Sequence, residues 1–275
     1  MSQSNTSFAV DNTDWLKAFA IVMFTIDHTG YFFVDDAQWW NALGRLAAPV
    51  FFFLLGYAGS RKFPLNWLWL GCTLTLLDSW NTDWDWVALN ILFSLALIRF
   101  ARPMILSLLQ RFGWFTFVAF LAVSVMLLHT AGELFDYGAE GWLWALFGLC
   151  QRMYINAAST TLTDERQTVT GSVSSSVSPG WGKMRLTSCL VAVTVYIWQE
   201  QIEFEFSNLQ LVVVAFSVSL LSIGLSLFAR GPSRFQPPGS TTGVLHFLGR
   251  HTLEIYAIQL ACFELIINVF PDLAA

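Results

Sequence analysis

The sequence predicts an all-α, polytopic membrane protein with about nine transmembrane helices. Three observations carry that prediction. Apolar residues make up 55% of the 275 positions and charged residues 12%, where soluble domains average roughly 25% charged. Apolar runs approaching the length needed to cross about 30 Å of hydrocarbon recur from one end of the chain to the other. Finally, the basic residues sort by side in the manner of the positive-inside rule.

In chain order the candidate spans are 15–34, 43–60, 64–80, 84–100, 113–130, 141–157, 186–200, 209–229 and 246–270. With a cytoplasmic N-terminus, the inner ends carry Lys17, Arg61, Lys62, Arg99, Arg102, Arg111, Arg152, Arg166, Lys183, Arg185, Arg230, Arg234 and Arg250. The outer segments carry acids instead, among them Asp35, Asp36, Asp83, Asp85, Glu133, Asp136, Glu140, Glu200, Glu203, Glu205 and Asp272. Every Lys and Arg except Arg45 obeys the rule, which sets the N-terminus inside and the C-terminus outside. Residues 1–275 read as a single transmembrane domain, with 1–13 as a cytoplasmic tail and 158–182, rich in Ser, Thr, Val and Gly, as a flexible cytoplasmic loop. Residues 231–243, with Pro232, Pro237 and Pro238, read as an irregular linker. No removable signal peptide is expected in the polar Met1–Asn12 segment.

Some chemistries are excluded at this level. Cys72, Cys150, Cys189 and Cys262 all sit in apolar runs without CxxC or Cys/His spacing, so they read as small core hydrophobes and no metal site is expected. The basic residues are scattered over helix ends, so no nucleic-acid partner is expected; the partner is the lipid bilayer. Oligomeric state is left open.

Asp27 and His28 lie within the first apolar run. An ionisable group there costs roughly 2.5–3.5 kcal/mol near the bilayer centre, and such residues usually face protein or an aqueous cavity. His28 follows Trp15 by enough residues to sit about 20 Å along a helix, in the outer half of the membrane. Imidazole is the side chain best suited to moving protons near neutral pH. Adjacent helical residues point about 100° apart, so Asp27 is poorly placed to orient His28. A pairing of Asp27 with Arg45 across the first two helices is favoured and would neutralise both. Arg45, at the outer end of its span, reads either as an arginine snorkelling to the headgroups or as a functional cation; the three groups together read as a reactive site or as packing. Asn90 and Gln259 are further polar residues within spans, suited to interhelical hydrogen bonding. From residues alone, a proton-coupled small-molecule transporter and a non-catalytic membrane subunit both stay open as alternatives.

Asp14-Trp15-Leu16-Lys17-Ala18 through Ile26-Asp27-His28-Thr29-Gly30, followed by Gly44-Arg45-Leu46-Ala47-Ala48-Pro49-Val50-Phe51, resembles the TraX family, named after the F-pilin N-acetyltransferase. Leu89-Asn90-Ile91-Leu92-Phe93-Ser94-Leu95 is similar to a further stretch of that family. Leu248-Gly249-Arg250-His251-Thr252-Leu253-Glu254-Ile255-Tyr256 looks like the last-helix motif of integral membrane acyltransferases more widely. The resemblance implies a membrane acyltransferase in a bacterial inner (cytoplasmic) membrane, with a periplasmic C-terminus. It would move an acetyl group from acetyl-CoA to a peptide, sugar or small-molecule acceptor on the periplasmic side. It implies His28 as base or transient acyl carrier, supported by Asp27, Arg45 and Asn90. The acyl donor's phosphates would favour basic inner ends such as Arg61, Lys62, Arg99, Arg102, Lys183 and Arg185. One departure is Gln259, where related families often carry a His after the last-helix Tyr, so a two-His mechanism is not expected.

Overall fold

The computed structural model describes residues 9–59, 65–81, 88–167 and 180–270. These residues are nearly all helical: α1 (Asn12–Phe33), α2 (Gln38–Gly44), α3 (Ala47–Tyr57), α4 (Leu65–Asn81), α5 (Ile91–Phe112), α6 (Trp114–Met126), α7 (Leu128–Leu134), α8 (Gly138–Gln167), α9 (Trp181–Phe204), α10 (Asn208–Leu227), α11 (Gly239–Arg250) and α12 (Thr252–Val269). Isolated backbone bridges join Asp11 to Pro232 and Leu89 to Phe135.

The membrane character is written on the helix faces. Along α10 the buried stripe is Gln210, Val214, Val218, Ser222 and Leu225. Its exposed residues include Val212, Phe216, Leu220, Ile223 and Leu227. The outward face is more apolar than the inward one, the reverse of a soluble amphipathic helix. A lipid-facing surface accounts for that inversion.

Among the described residues, three helices are long and apolar enough to cross a bilayer by themselves: α5, α10 and α12. The α6–α7 pair, bent by 64°, would make a fourth if counted as one span. Several expected spans are broken instead. The 43–60 run splits at Arg45–Leu46 into α2 and α3, and the 246–270 run splits at His251 into α11 and α12. The span expected at 84–100 begins late: Asn90 caps α5, which then runs past Arg102 and Pro103 to Phe112. Residues 82–87 lie outside the described residues. Of the loop expected at 158–182, α8 continues through Gln167 and α9 starts at Trp181, while 168–179 lie outside the described residues. The tail expected at 1–13 is described only from Ala9, and α1 has already begun at Asn12. The linker expected at 231–243 is ordered at both ends, pairing with residues 10–12 and entering α11 at Gly239.

The chain divides into two compact units. The first comprises residues 1–51, 69–87 and 199–275. In it, α1 packs against α2, α11 and α12, and α10 packs against α2. Ser233 N donates to Val10 O at 2.8 Å and Asn12 N to Gly231 O at 3.0 Å, clipping the start of α1 to the segment before α11. Asp11 and Asp14 close a capping box on α1, satisfying N–H groups that a helix start leaves open.

The second unit comprises 52–68 and 88–198. Its helices α3 and α8 touch backbone to backbone. A Cβ at Gly56 would overlap the Ala145 carbonyl, one at Gly148 the Phe53 carbonyl, and one at Gly141 would lie 2.6 Å from the Phe52 ring. Gly141, Ala145 and Gly148 form one face of α8 at helical spacing, and small residues at such a seam permit the close approach. Ile105, Leu109, Phe117, Leu146, Leu149, Cys150, Trp181 and Met184 form this unit's buried cluster. Cys150 and Cys189 are buried as expected, whereas Cys72 and Cys262 are exposed on the outward surface.

Candidate functional site

Two glycines bring α1 and α2 together in the first unit. A Cβ at Gly30 would overlap Trp40, and one at Gly44 would overlap Asp27 and lie 2.6 Å from the Asp27 Cα. With hydrogen in both places, the end of α2 lies directly over Asp27. Asp27 shares a buried stripe of α1 with Ala20, Phe24 and Gly30, so it points at the seam.

Arg45, the residue that ends α2, fills this seam. Its Nη2 is 3.1 Å from Asp27 Oδ1, and its Nε is 3.6 Å from Glu200 Oε2 near the end of α9. The guanidinium also lies over the Phe204 ring, 4.3 Å from its centroid, one helical turn beyond Glu200. Asp27 is 4% exposed, Arg45 9% and Glu200 1%. An arginine this buried between two carboxylates is a fixed charged network rather than a snorkelling chain. The pairing of Asp27 with Arg45 was expected; Glu200 was not. The sequence groups Glu200 with the outer acids Glu203 and Glu205. Its only distinguishing signal is a position inside the apolar run.

His28 faces another way, as adjacent helical residues must. Its half-buried ring meets Phe24 one turn earlier at 4.4 Å between centroids and Phe32 one turn later at 6.3 Å. Tyr256 of α12 closes the niche at 6.1 Å and itself packs on Phe24 at 4.8 Å. The Nδ1 atom of His28 is buried and accepts or donates no hydrogen bond among the described residues. Buried polar atoms in native proteins are rarely left this way. One turn before His28, the Thr25 hydroxyl lies 2.8 Å from Ile21 O and 3.1 Å from Gln259 Oε1 of α12, while Gln259 Nε2 is buried without a partner among the described residues. Gln259 therefore meets α1 through its side-chain amide, one turn before the imidazole.

Asn90 belongs to the second unit, where its Oδ1 accepts from Leu92 N at 3.1 Å and starts α5. The adjoining segment is tied down by Asp136, whose Oδ2 accepts from Ile91 N at 3.2 Å and whose carbonyl accepts from Ser94 Oγ at 2.9 Å. This is N-cap chemistry, readable from an Asn just before an apolar run. Of the basic residues considered for the acyl donor, Arg61 and Lys62 lie outside the described residues. Arg99 lies over Trp67, 4.7 Å from its centroid, and Arg185 lies over Tyr154 at 4.2 Å and donates to Gln151 Oε1 at 3.2 Å.

Comparison with known proteins bears on the same residues. The family model described as TraX protein matches residues 12–163, a stretch that includes Asp27, His28, Arg45 and Asn90. An uncharacterised protein of Rickettsia prowazekii is 28% identical over 142 residues, 50% of this chain and 53% of that protein. Protein TraX of Escherichia coli is 27% identical over 159 residues, 55% of this chain and 60% of its own length. The chain thus spans between half and two thirds of these curated relatives. No solved structure matches it.

Proposed function

Because the chain belongs to the TraX family, we propose that it is an integral membrane acyltransferase, moving an acetyl group from cytoplasmic acetyl-CoA to an amine or hydroxyl on the periplasmic side. In this reading it sits in a bacterial inner membrane as a multi-pass protein, N-terminus cytoplasmic and C-terminus periplasmic, with about nine crossings, some of them made by broken helices such as α2–α3 and α11–α12. The observation that supports the reading best is His28, an imidazole with a buried Nδ1 lacking a partner, next in sequence to the Asp27–Arg45–Glu200 network.

The chemistry follows from what each group can do. His28 takes the proton of the acceptor amine or hydroxyl as that atom attacks the thioester carbonyl. The new bond to carbon leaves an oxyanion, and breaking the C–S bond then releases a thiolate that recovers the proton from His28. Arg45, its charge balanced by Asp27 and Glu200, supplies fixed N–H donors that either steady the oxyanion or anchor an acidic acceptor. Asp27 and Glu200 hold Arg45 in place. Phe24, Phe32 and Tyr256 keep the imidazole in one orientation and shield it from bulk water. A family name does not transfer an acceptor, so a peptide terminus, a sugar and a small molecule are all candidates.

The test is acetyl transfer by the protein reconstituted in proteoliposomes with acetyl-CoA on the inner side. His28→Ala should abolish transfer while elution profile and melting temperature stay those of the wild type. Full activity in that variant ends the catalytic assignment. Solute-dependent proton uptake without acetyl-CoA would instead identify a transporter, because buried His, Asp and Arg also serve relays.

A further inference from the structure

Helix α3 ends in the second unit on carbonyls that helical geometry leaves without intrahelical donors. Two arginines from two other helices take them. Arg102 Nε of α5 donates to Gly56 O at 2.7 Å, and Arg152 Nη1 of α8 donates to Tyr57 O at 3.1 Å. Arg102 is buried, and a Cβ at Gly59 would overlap the Arg152 guanidinium, so the chain is shaped to admit that side chain. The two cations are held by adjacent carbonyls and line one cavity. Among the described residues neither is paired with a carboxylate. The negative end of α3 offsets only about half an elementary charge.

Both arginines line a cavity of about 390 Å³, together with Ser107, Gln110 and Asn156. That volume falls within the range of roughly 300–1,000 Å³ typical of small-molecule sites. A guanidinium carries five N–H donors in a fork matched to phosphate oxygens, and helix α3 takes only one from each. Two like charges lining one cavity, beside the polar Ser107, Gln110 and Asn156 and the apolar Leu106 and Met153, are relieved when an anion settles between them.

We infer that this cavity binds phosphate esters, and, resting on the acyltransferase reading, that they are those of the nucleotide end of the coenzyme A donor. Arg102 and Arg152 lie within α5 and α8 rather than at their ends, but in the proposed orientation the span that closes with α3 runs inward, so its Gly56–Tyr57 end and the cavity beside it belong to the side from which such a donor arrives. Phospholipid headgroups share the same chemistry, so the experiment must separate the two sources.

The full-length protein in phosphatidylcholine nanodiscs is titrated with coenzyme A and with adenosine 3′,5′-bisphosphate, and separately compared with nanodiscs containing phosphatidylglycerol. Both soluble probes should bind, with Kd raised at least tenfold in Arg102→Gln and in Arg152→Gln. Gln110→Glu adds a negative charge to the wall while leaving both contacts to α3 intact. It should weaken binding as well, which keeps the test sound if an arginine variant fails to fold. Wild-type affinity in the cavity variants overturns the inference. So does an arginine-dependent stabilisation by phosphatidylglycerol with no coenzyme A binding, which assigns the cavity to lipid headgroups. Arginine-dependent coenzyme A binding without any acetyl transfer would uphold this site and sink the proposed reaction instead.

Discussion

Arg45 in the first unit and the Arg102–Arg152 pair in the second solve the problem of a buried cation in opposite ways. Arg45 is held by carboxylates, at 3.1 Å from Asp27 and 3.6 Å from Glu200. Arg102 and Arg152 are held by the backbone carbonyls of Gly56 and Tyr57. A carboxylate partner cancels charge, whereas a carbonyl partner fixes the side chain and leaves its charge in play. The first arrangement suits a rigid fixture inside a reactive site. The second suits capture of an anion. An arginine's partners thus say more about its work than its depth does.

The sharpest way to break this contrast is functional. His28→Ala should lower acetyl transfer by about 10²–10⁴-fold, the usual worth of a positioned general base, as measured by initial rates in proteoliposomes. The next largest effect is on stability. Arg45→Ala leaves Asp27 and Glu200 buried without their cation and should destabilise the protein by about 3–5 kcal/mol, read from unfolding in detergent. Gly44→Ala should cost about 1–3 kcal/mol, because its Cβ would overlap Asp27 and force α1 and α2 apart. Smallest is Arg152→Gln, which strands no carboxylate and should cost only about 1 kcal/mol for the lost contact to Tyr57 O. If Arg152→Gln proved as damaging as Arg45→Ala in the same unfolding assay, the distinction drawn between the two kinds of arginine would fail.

What could be read in advance divides along physical lines. Asp27 with Arg45 was legible because adjacent helical residues diverge and two expensive charges at similar depth seek each other. Glu200 was not, since an acid at the end of an apolar run looks the same whether solvated or paired. The break at Arg45–Leu46 lies inside a continuous apolar run, which hides it from hydropathy. Pro49 was the available signal, because proline is tolerated in the first turn of a helix and disfavoured in its interior. Arg99 and Arg102 misled in the other sense. Charges read as the end of a span lie within α5, where Arg102 is satisfied by a carbonyl of another helix. The aromatic niche of His28 combines local neighbours at helical spacing with Tyr256, and the latter contact is invisible without the fold.

The clip between residues 10–12 and 231–233 bears on how the protein is made. Its two halves are separated by more than two hundred residues of chain, and α11 and α12, which pack on α1, emerge later still. During synthesis the first helix therefore enters the bilayer long before its permanent neighbours exist, carrying Asp27 with it. Glu200, which completes the cage around Arg45, also arrives late. Chains truncated before residue 231 should consequently be targets for membrane proteases, however intact the second unit is. The unit that holds Asp27 and Arg45 is the last part to be assembled, although its first helix is among the first segments to be translated.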